Sequence, residues 1–519
     1  MDIYTAIKKV INDRQIERQN PQLKIWEAWY KGKYRPFHNY YVTTGFGIKT
    51  RLEKRTLGMA KVVSESWADL LMNENTKIMV DGDNQKNLDE ILERFDFKTS
   101  MNDLVEKYFA LGNGAVVLGV NNLSVDNEGI AGKDGELSIQ FVDGKKIFPI
   151  TFENGKCTEC AFVSSGTQRT TISVHLINDE GYYEIKNIYY RNANGTLVFE
   201  SEDSAFNTHS VKPWFALFKP AIVNNFDIRS PMGISVYANS IDVLMSVDNM
   251  YDSLDNEFTL GKKRLFLSTD LEHIDSEGRR ARDYFDPHDV LIYHIPQDSK
   301  GNNLLTSQSD ELRSSAHIES LNGQLNMLSV KCGLGKGYFM FNGAEQRVAV
   351  TATEVIVKNS DLFRTIKKHE KILEKGIKDV IEAIVDICNR FTDISFKEIK
   401  RNEIKVLFDD SIFEDKESMK ESDRKDVNLG ALSLVEYRMR NYGEDEETAI
   451  MNMNKFSVKE LTSKINALYP ALEKKVISVD KFVELVWGDN ADNELKNGII
   501  EYLTNRQASP EELFNQFGV

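Results

Sequence analysis

Apolar positions follow two rhythms along this chain, and the switches between them mark its organisation. Ile3, Ile7, Val10, Ile11 and Ile16 recur at helical spacing, which predicts helix over residues 2–30 with a break at Pro21. Trp26, Trp29 and Tyr30 then precede Gly32, a residue suited to ending a helix. Met59, Val63, Trp67 and Leu70 share one face of a helix predicted over 55–74. TKIMV at 76–80 reads as a strand, and 85–112 as two more helices. From Ala115 to about Phe218 the rhythm becomes β: AVVLGV, LSIQFV, AFVSSG, TTISVHLI, YYEIKNIYY and TLVFES lie between Gly, Asn and Asp turn signals. Helical spacing returns after Pro231, with Ile241, Leu244, Val247, Tyr251, Leu254 and Phe258 over 236–260. A charged, irregular excursion at 261–313 contains the strand-like RLFLS and DVLIYHI. Ile318, Leu321, Leu325, Leu328 and Cys332 form the next helical stripe. The glycine-rich GLGKGYFMFNGAEQRVAVT has no helical period. A long helix covers 353–391, with Leu362, Ile366, Leu373, Ile377, Val380, Ile384, Cys388 and Phe391 in one stripe. At 1.5 Å per residue it is roughly 55–60 Å long. The strand EIKVLF leads into an acidic, helical end.

This order is not an alternating βα pattern, so a Rossmann or TIM-barrel enzyme is disfavoured and the class is α+β. A chain of 519 residues exceeds one hydrophobic core and predicts two to four packed units. Apolar residues at 41% and charged residues at 28% exclude global disorder. The net charge of −15 argues against a generic basic surface gripping nucleic acid, although not against a protein that handles DNA without holding it. No run of eighteen apolar residues and no signal peptide are visible, so no membrane partner is expected. Four cysteines in so long a chain suit synthesis in a reducing cytoplasm.

Catalytic constellations are missing. Gly333-Leu-Gly335-Lys336-Gly337 lacks the hydroxyl of a phosphate loop and reads as a flexible loop. Cys157-Thr-Glu-Cys160 has metal-ligand spacing but no second pair nearby, and reads as two small residues on a β-hairpin. The eight histidines, among them His175, His273, His288 and His294, form no zinc motif. Asp409-Asp410 could bind magnesium, but a helix cap before Ser411 is the simpler reading. A metal-dependent nuclease or NTPase resting on Asp409, Asp410 and Glu414 is the enzyme alternative. No catalytic residue, metal or cofactor is otherwise expected.

Charge patterning carries more. Between Val236 and Gly261 there is no Lys or Arg, and there are five acids: Asp242, Asp248, Asp252, Asp255 and Glu257. Asp248, Asp252 and Asp255 lie at i, i+4 and i+7 on one helix face, where like charges cost stability in isolation. Either that face is solvated or it is an acidic wall lining a channel. Lys262, Lys263 and Arg264 follow the helix and complement its dipole. Arg279, Arg280 and Arg282 cluster in the excursion, as solvated loop charges or as contacts to a partner or to nucleic-acid backbone. Residues 1–61 hold 13 Lys/Arg against 5 Asp/Glu, and residues 400–519 hold 17 against 24. The basic end is either a partner-binding face or a solvated helix pair.

Together these features resemble a portal protein of a tailed bacteriophage, of the kind found in siphophages of Gram-positive hosts. The resemblance spans most of the chain. It is carried by Trp26-Glu-Ala-Trp29-Tyr30-Lys-Gly32, by Met59-Ala60-Lys61 through Trp67-Ala68-Asp69-Leu70-Leu71-Met-Asn73-Glu74, by Thr351-Ala352-Thr353-Glu354-Val355, and by Phe408-Asp409-Asp410-Ser411. It implies a structural protein that forms a homo-oligomeric ring, typically a dodecamer, at one capsid vertex of the virion. Double-stranded DNA would pass through its bore. The resemblance further implies a wing at 1–235 with the long helix at 353–395, stem helices at 236–260 and 314–332, a clip at 261–313, a tunnel loop at 333–352 and a crown at 396–519. Asp248, Asp252 and Asp255 would then line the channel. Lys336, Asn342, Gln346 and Arg347 would touch DNA from the tunnel loop. Lys262, Lys263, Arg279, Arg280 and Arg282 would meet clip partners, namely the large terminase subunit and later head-completion or adaptor proteins. Major capsid and scaffolding proteins are the remaining implied partners. Another ring-forming head–tail connector is a further alternative, disfavoured by length.

Overall fold

The computed structural model describes residues 2–11, 14–16, 19–43, 47–80, 82, 84–124, 132–193, 196–260, 264–268, 291–295, 305–308, 312–341, 352–408, 423–427, 429, 432–442, 448–450, 464–475, 477–487, 499–500 and 503. Two compact units result, Met1–Asp409 and Asp410–Val519.

The first unit mixes helices with several sheets. Helix α1 (Ile3–Lys8) is shorter than its apolar spacing predicts, and α2 (Leu23–Tyr30) is separate. Two described residues between them are tied to strands. Arg14 pairs with the buried Glu159 at 3.0 Å and donates to the Ile177 carbonyl, and Gln19 donates to the carbonyls of Lys145 and Ile147. The short α3 (Arg35–His38) leads into a two-stranded hairpin, β1 (Asn39–Thr43) and β2 (Lys49–Glu53). Helix α4 (Met59–Leu71), strand β3 (Lys77–Met79), α5 (Asn84–Arg94) and α6 (Phe97–Leu111) follow.

The β-rich stretch forms two antiparallel sheets. One has the order β12-β4-β5, from Phe215–Phe218, Gly114–Asn121 and Glu136–Asp143. The other is a meander of β6 (Ile147–Glu153), β7 (Lys156–Ser165), β8 (Arg169–Ile177), β9 (Tyr183–Ala193) and β10 (Thr196–Glu202), with β11 (Phe206–Asn207) on β9. Alternation along β7 sends Ala161 and Val163 to one face of the meander, against Ile7 and Ile11. Cys160 and Phe162 go to the other, against Ala115, Val117 and Phe215 of the three-stranded sheet. Cys157 and Cys160 thus sit on a hairpin strand, with Phe152 opposite Cys157.

Helix α9 (Ala352–Phe391) runs 40 residues, and the whole expected stripe from Leu362 to Phe391 is buried. It lies on β12, where Gly376 makes room for the Phe218 ring. Its His369 rests on Trp67 at 4.6 Å and on Phe109 at 4.9 Å, and accepts from the Ala221 N–H at 2.9 Å. Strand β16 (Lys405–Leu407) pairs antiparallel with β3, Val406 opposite Ile78, so residues 396–408 belong to the first unit. The second unit holds helices Leu434–Tyr442, 464–473 and Val479–Trp487, and a small core of Ile465, Phe482, Val483, Val486 and Ile499.

Candidate functional site: a helix pair and its excursion

Helices α7 (Ile241–Leu260) and α8 (Ser314–Lys331) run antiparallel. Ion pairs close both ends of the pair. Lys331, at the end of α8, lies 3.0 Å from Asp242 in the first turn of α7. At the other end Arg313 reaches Glu257 through Nε at 3.1 Å and Nη2 at 2.9 Å, and its backbone N–H donates to the same carboxylate. These Arg313 hydrogen bonds hold the Glu257 carboxyl down to about 2. Lys331 likewise keeps Asp242 below the usual carboxylate range. Val243, Leu244 and Val247 on α7 and Leu321, Leu325 and Leu328 on α8 are buried. The sequence stripe finds these elements, but its last member, Phe258, is 50% exposed. The pair is rooted in the unit: Trp67 Nε1 donates to the Cys332 carbonyl at 3.1 Å, and burial pushes the Cys332 thiol up to about 12.

Between the two helices the chain builds a sheet of its own, in the order β14-β13-β15. Central β13 (Arg264–Ser268) is parallel to β14 (Leu291–Ile295) and antiparallel to β15 (Leu305–Gln308). The irregular excursion therefore contains a three-stranded sheet. Lys262, Lys263, Arg279, Arg280 and Arg282 lie outside the described residues.

After α8 the chain turns through Gly333, Gly335 and Gly337, all at positive φ (80°, 81° and 76°). Between them Leu334 is buried and Lys336 exposed. The chain then doubles back along α8. The N–H groups of Gly337, Phe339 and Phe341 donate to Asn326 Oδ1 (2.8 Å), Ser329 Oγ (3.2 Å) and Asn322 Oδ1 (2.8 Å). Every second amide is thus held by a helix side chain, as in half of a strand ladder. Asn342, Gln346 and Arg347 lie outside the described residues, as do Asp409, Asp410 and Glu414.

The acidic face of α7 requires a correction. Asp248 does not face a channel: it is 3% exposed, and its Oδ2 lies 2.9 Å from His38 Nε2 while its Oδ1 accepts from the Leu57 N–H at 2.9 Å. Asp252 accepts from the Arg55 N–H at 2.9 Å, and Asp255 pairs with the Arg55 guanidinium at 2.6 Å. Asn249 accepts from Lys54 Nζ at 2.7 Å. The like charges are tolerated because segment 38–57 brings a histidine, two cations and two backbone N–H groups to that face. His38 and Arg55 were not singled out in the sequence. The basic bias of residues 1–61 was the available signal, since it supplies the missing counter-charge.

Among the described residues, no group of three or more His, Cys, Asp or Glu could hold a metal ion, and no helix is long and apolar enough to cross a membrane. His175 and His369 are buried in the core, which holds both imidazoles down to about 3.

Residues 8–449 match the family model described as "Phage portal protein, SPP1 Gp6-like", and the chain belongs to this phage portal family. Its role is that of a structural portal of the virion, and family membership carries association with the capsid in an oligomeric ring. A solved chain from the neck of a native GTA particle, computed with twelvefold symmetry, is similar at 9% identity and TM-score 0.37. That match covers 84% of this chain and 97% of the other. No curated protein matches.

Proposed function

We propose that twelve copies of this chain close into a ring at one capsid vertex and that duplex DNA moves through its bore during packaging and ejection. In this reading α7 and α8 form the stem, 261–313 the clip, 333–352 the tunnel loop, and 1–235 with α9 the wing. The crown, expected at 396–519, is in this reading the second unit alone, Asp410–Val519, because β16 pairs with β3 of the first unit. The clip docks the large terminase subunit during packaging and head-completion or adaptor proteins afterwards, with Lys262, Lys263, Arg279, Arg280 and Arg282 as contacts. The capsid and scaffolding proteins meet the wing. Assembly takes place in the host cytoplasm.

The observation that carries this reading is the antiparallel α7–α8 pair, clamped by ion pairs at both ends and enclosing a sheet of its own, within a chain of portal family membership. Such a pair places the excursion at one end and the glycine turn at the other. Lys336, exposed on that turn, together with Asn342, Gln346 and Arg347, would touch DNA only sparsely. Sparse contact suits a sliding surface, because each neutralised phosphate adds affinity through counterion release. The chain performs no catalysis in this reading; a terminase ATPase supplies the work.

Negative-stain imaging of purified full-length protein tests it. Rings with a central hole are expected. A stable monomer at micromolar concentration under several salts would overturn the ring. ATP or DNA hydrolysis that disappears in Asp409→Ala would replace the structural role with an enzymatic one.

A further inference from the structure

The hairpin β1–β2 forms a two-stranded sheet of its own, joined to no other strand among the described residues. Its register sets Tyr40 opposite Leu52, Val42 opposite Thr50, Tyr41 opposite Arg51 and Thr43 opposite Lys49. Alternation therefore places Tyr40, Val42, Thr50 and Leu52 on one face, and Tyr41, Thr43, Lys49 and Arg51 on the other. The first face is apolar and open: Val42 is 42% and Leu52 40% exposed. On the second, Tyr41 is 68% exposed between cations. A lone two-stranded hairpin is marginal in water, and among the described residues this one leaves Val42 and Leu52 of its apolar face open.

Its base, by contrast, is firmly held. His38 and the Leu57 N–H bind Asp248, Lys54 binds Asn249, and Arg55 binds Asp252 and Asp255. The Lys54 ammonium also sits 4.1 Å over the Phe37 ring. A ribbon fixed this well at its root and left open at its apolar face is arranged for contact with another molecule.

Charge selects the occupant. Residues 31–55 carry seven Lys/Arg and one Asp/Glu in a chain whose total is −15, so the rest of the chain is strongly acidic. Within the first unit, Glu65 and Asp69 on α4 are exposed side by side, with Lys61 paired to Glu65 at 3.0 Å. Burial, and next the Glu65 charge, push the Asp69 carboxyl above its ordinary value. A second copy of this chain thus offers the opposite sign. A closed ring also requires two different, complementary patches on every subunit.

We propose that the β1–β2 hairpin of one subunit clasps the next copy of this chain, burying Val42 and Leu52 and bringing Lys49 and Arg51 to its acidic surface. This rests on the ring reading.

The test uses full-length protein, gel filtration with light scattering, and hydrogen exchange. V42E/L52E lowers the ring fraction at micromolar concentration at least about tenfold, while circular dichroism and the subunit's unfolding midpoint stay as in the parent, because both side chains are exposed. K49E/R51E weakens rings more at low salt than at high. In the parent protein, amides 39–53 exchange more slowly in the ring than in the monomer. Parental ring yield from V42E/L52E, or a hairpin that exchanges equally fast in ring and monomer, overturns the clasp and leaves the ring standing. A parent chain that never forms rings overturns both. Protection of 39–53 only on adding duplex DNA assigns the hairpin to DNA and overturns the clasp.

Discussion

His38 and Asp248, 210 positions apart in sequence, meet at 2.9 Å in the interior of the first unit. The other ring nitrogen of His38 lies 3.0 Å from the Tyr34 carbonyl, and the second oxygen of Asp248 takes the Leu57 N–H. One carboxylate therefore ties both ends of segment 38–57 to α7. Asp248→Ala strips the imidazole and a backbone N–H of their buried partner at once. The expected cost is about 2–4 kcal/mol, because two buried groups lose their hydrogen-bond partner and each such loss costs about 1–3 kcal/mol. Urea unfolding checks it, and cleavage between residues 38 and 57 under limited proteolysis is expected to accelerate alongside.

Gly376→Ala on α9 sets helix propensity against packing. Alanine is favoured over glycine by about 1 kcal/mol in a helix interior. Its Cβ, however, would sit 2.3 Å from the ring of Phe218, which is 1% exposed. Packing wins, and the variant is expected to be about 1–3 kcal/mol less stable. A raised midpoint in thermal unfolding would refute this.

The buried histidines give the unit an acid sensitivity of known sign. Burial holds His175 and His369 down to about 3, so both stay neutral in the folded chain while the unfolded chain takes up protons below about 6.5. Stability is full above that value and falls as the pH drops toward 3. Each ring contributes up to about 1.4 kcal/mol per pH unit. His369→Asn keeps an acceptor near the Ala221 N–H and removes one titration. The slope of unfolding free energy against pH between 6 and 4 should shrink by about that amount.

Glu257 behaves in the opposite sense. Its carboxyl titrates at about 2 in the folded chain, below the unfolded value near 4.3, because Arg313 binds the anion. Its contribution is present above about pH 4.3 and is lost as the pH falls toward 2. Hydrogen exchange over 312–318 should show the first turn of α8 loosening across that window in the parent protein. In Glu257→Gln the same turn should be loose already at pH 6.

Much of this architecture was legible because its determinants are local. The stripe from Leu362 to Phe391 fixes which side of α9 is buried, and alternation in β7 fixes which residues face which sheet. The acidic triplet was legible as one helix face but not in its role. Periodicity shows that Asp248, Asp252 and Asp255 point the same way, and it cannot show that His38 and Arg55 come back to meet them. The hairpin went unread although NYYVT and KTRLE pair through a short connection, because Thr50 interrupts the apolar face of Tyr40, Val42 and Leu52, and Tyr41 stands among the polar Thr43, Lys49 and Arg51 on the other. The strap from Gly337 to Phe341 left no period at all, since its partners are Asn and Ser side chains on a helix.

The length of α9 has a mechanical consequence. Its C-terminal half is embedded, with Leu373, Ile377, Val380, Ile384 and Cys388 buried and His369 packed against the stacked rings of Trp67 and Phe109. Its first turn, at Ala352, lies roughly 25 Å further along the axis at 1.5 Å per residue. A tilt of about 5° around the His369 fulcrum thus sweeps Ala352 through about 2 Å. Any disturbance that slightly rocks the embedded half is delivered, magnified, to the helix's first turn at Ala352.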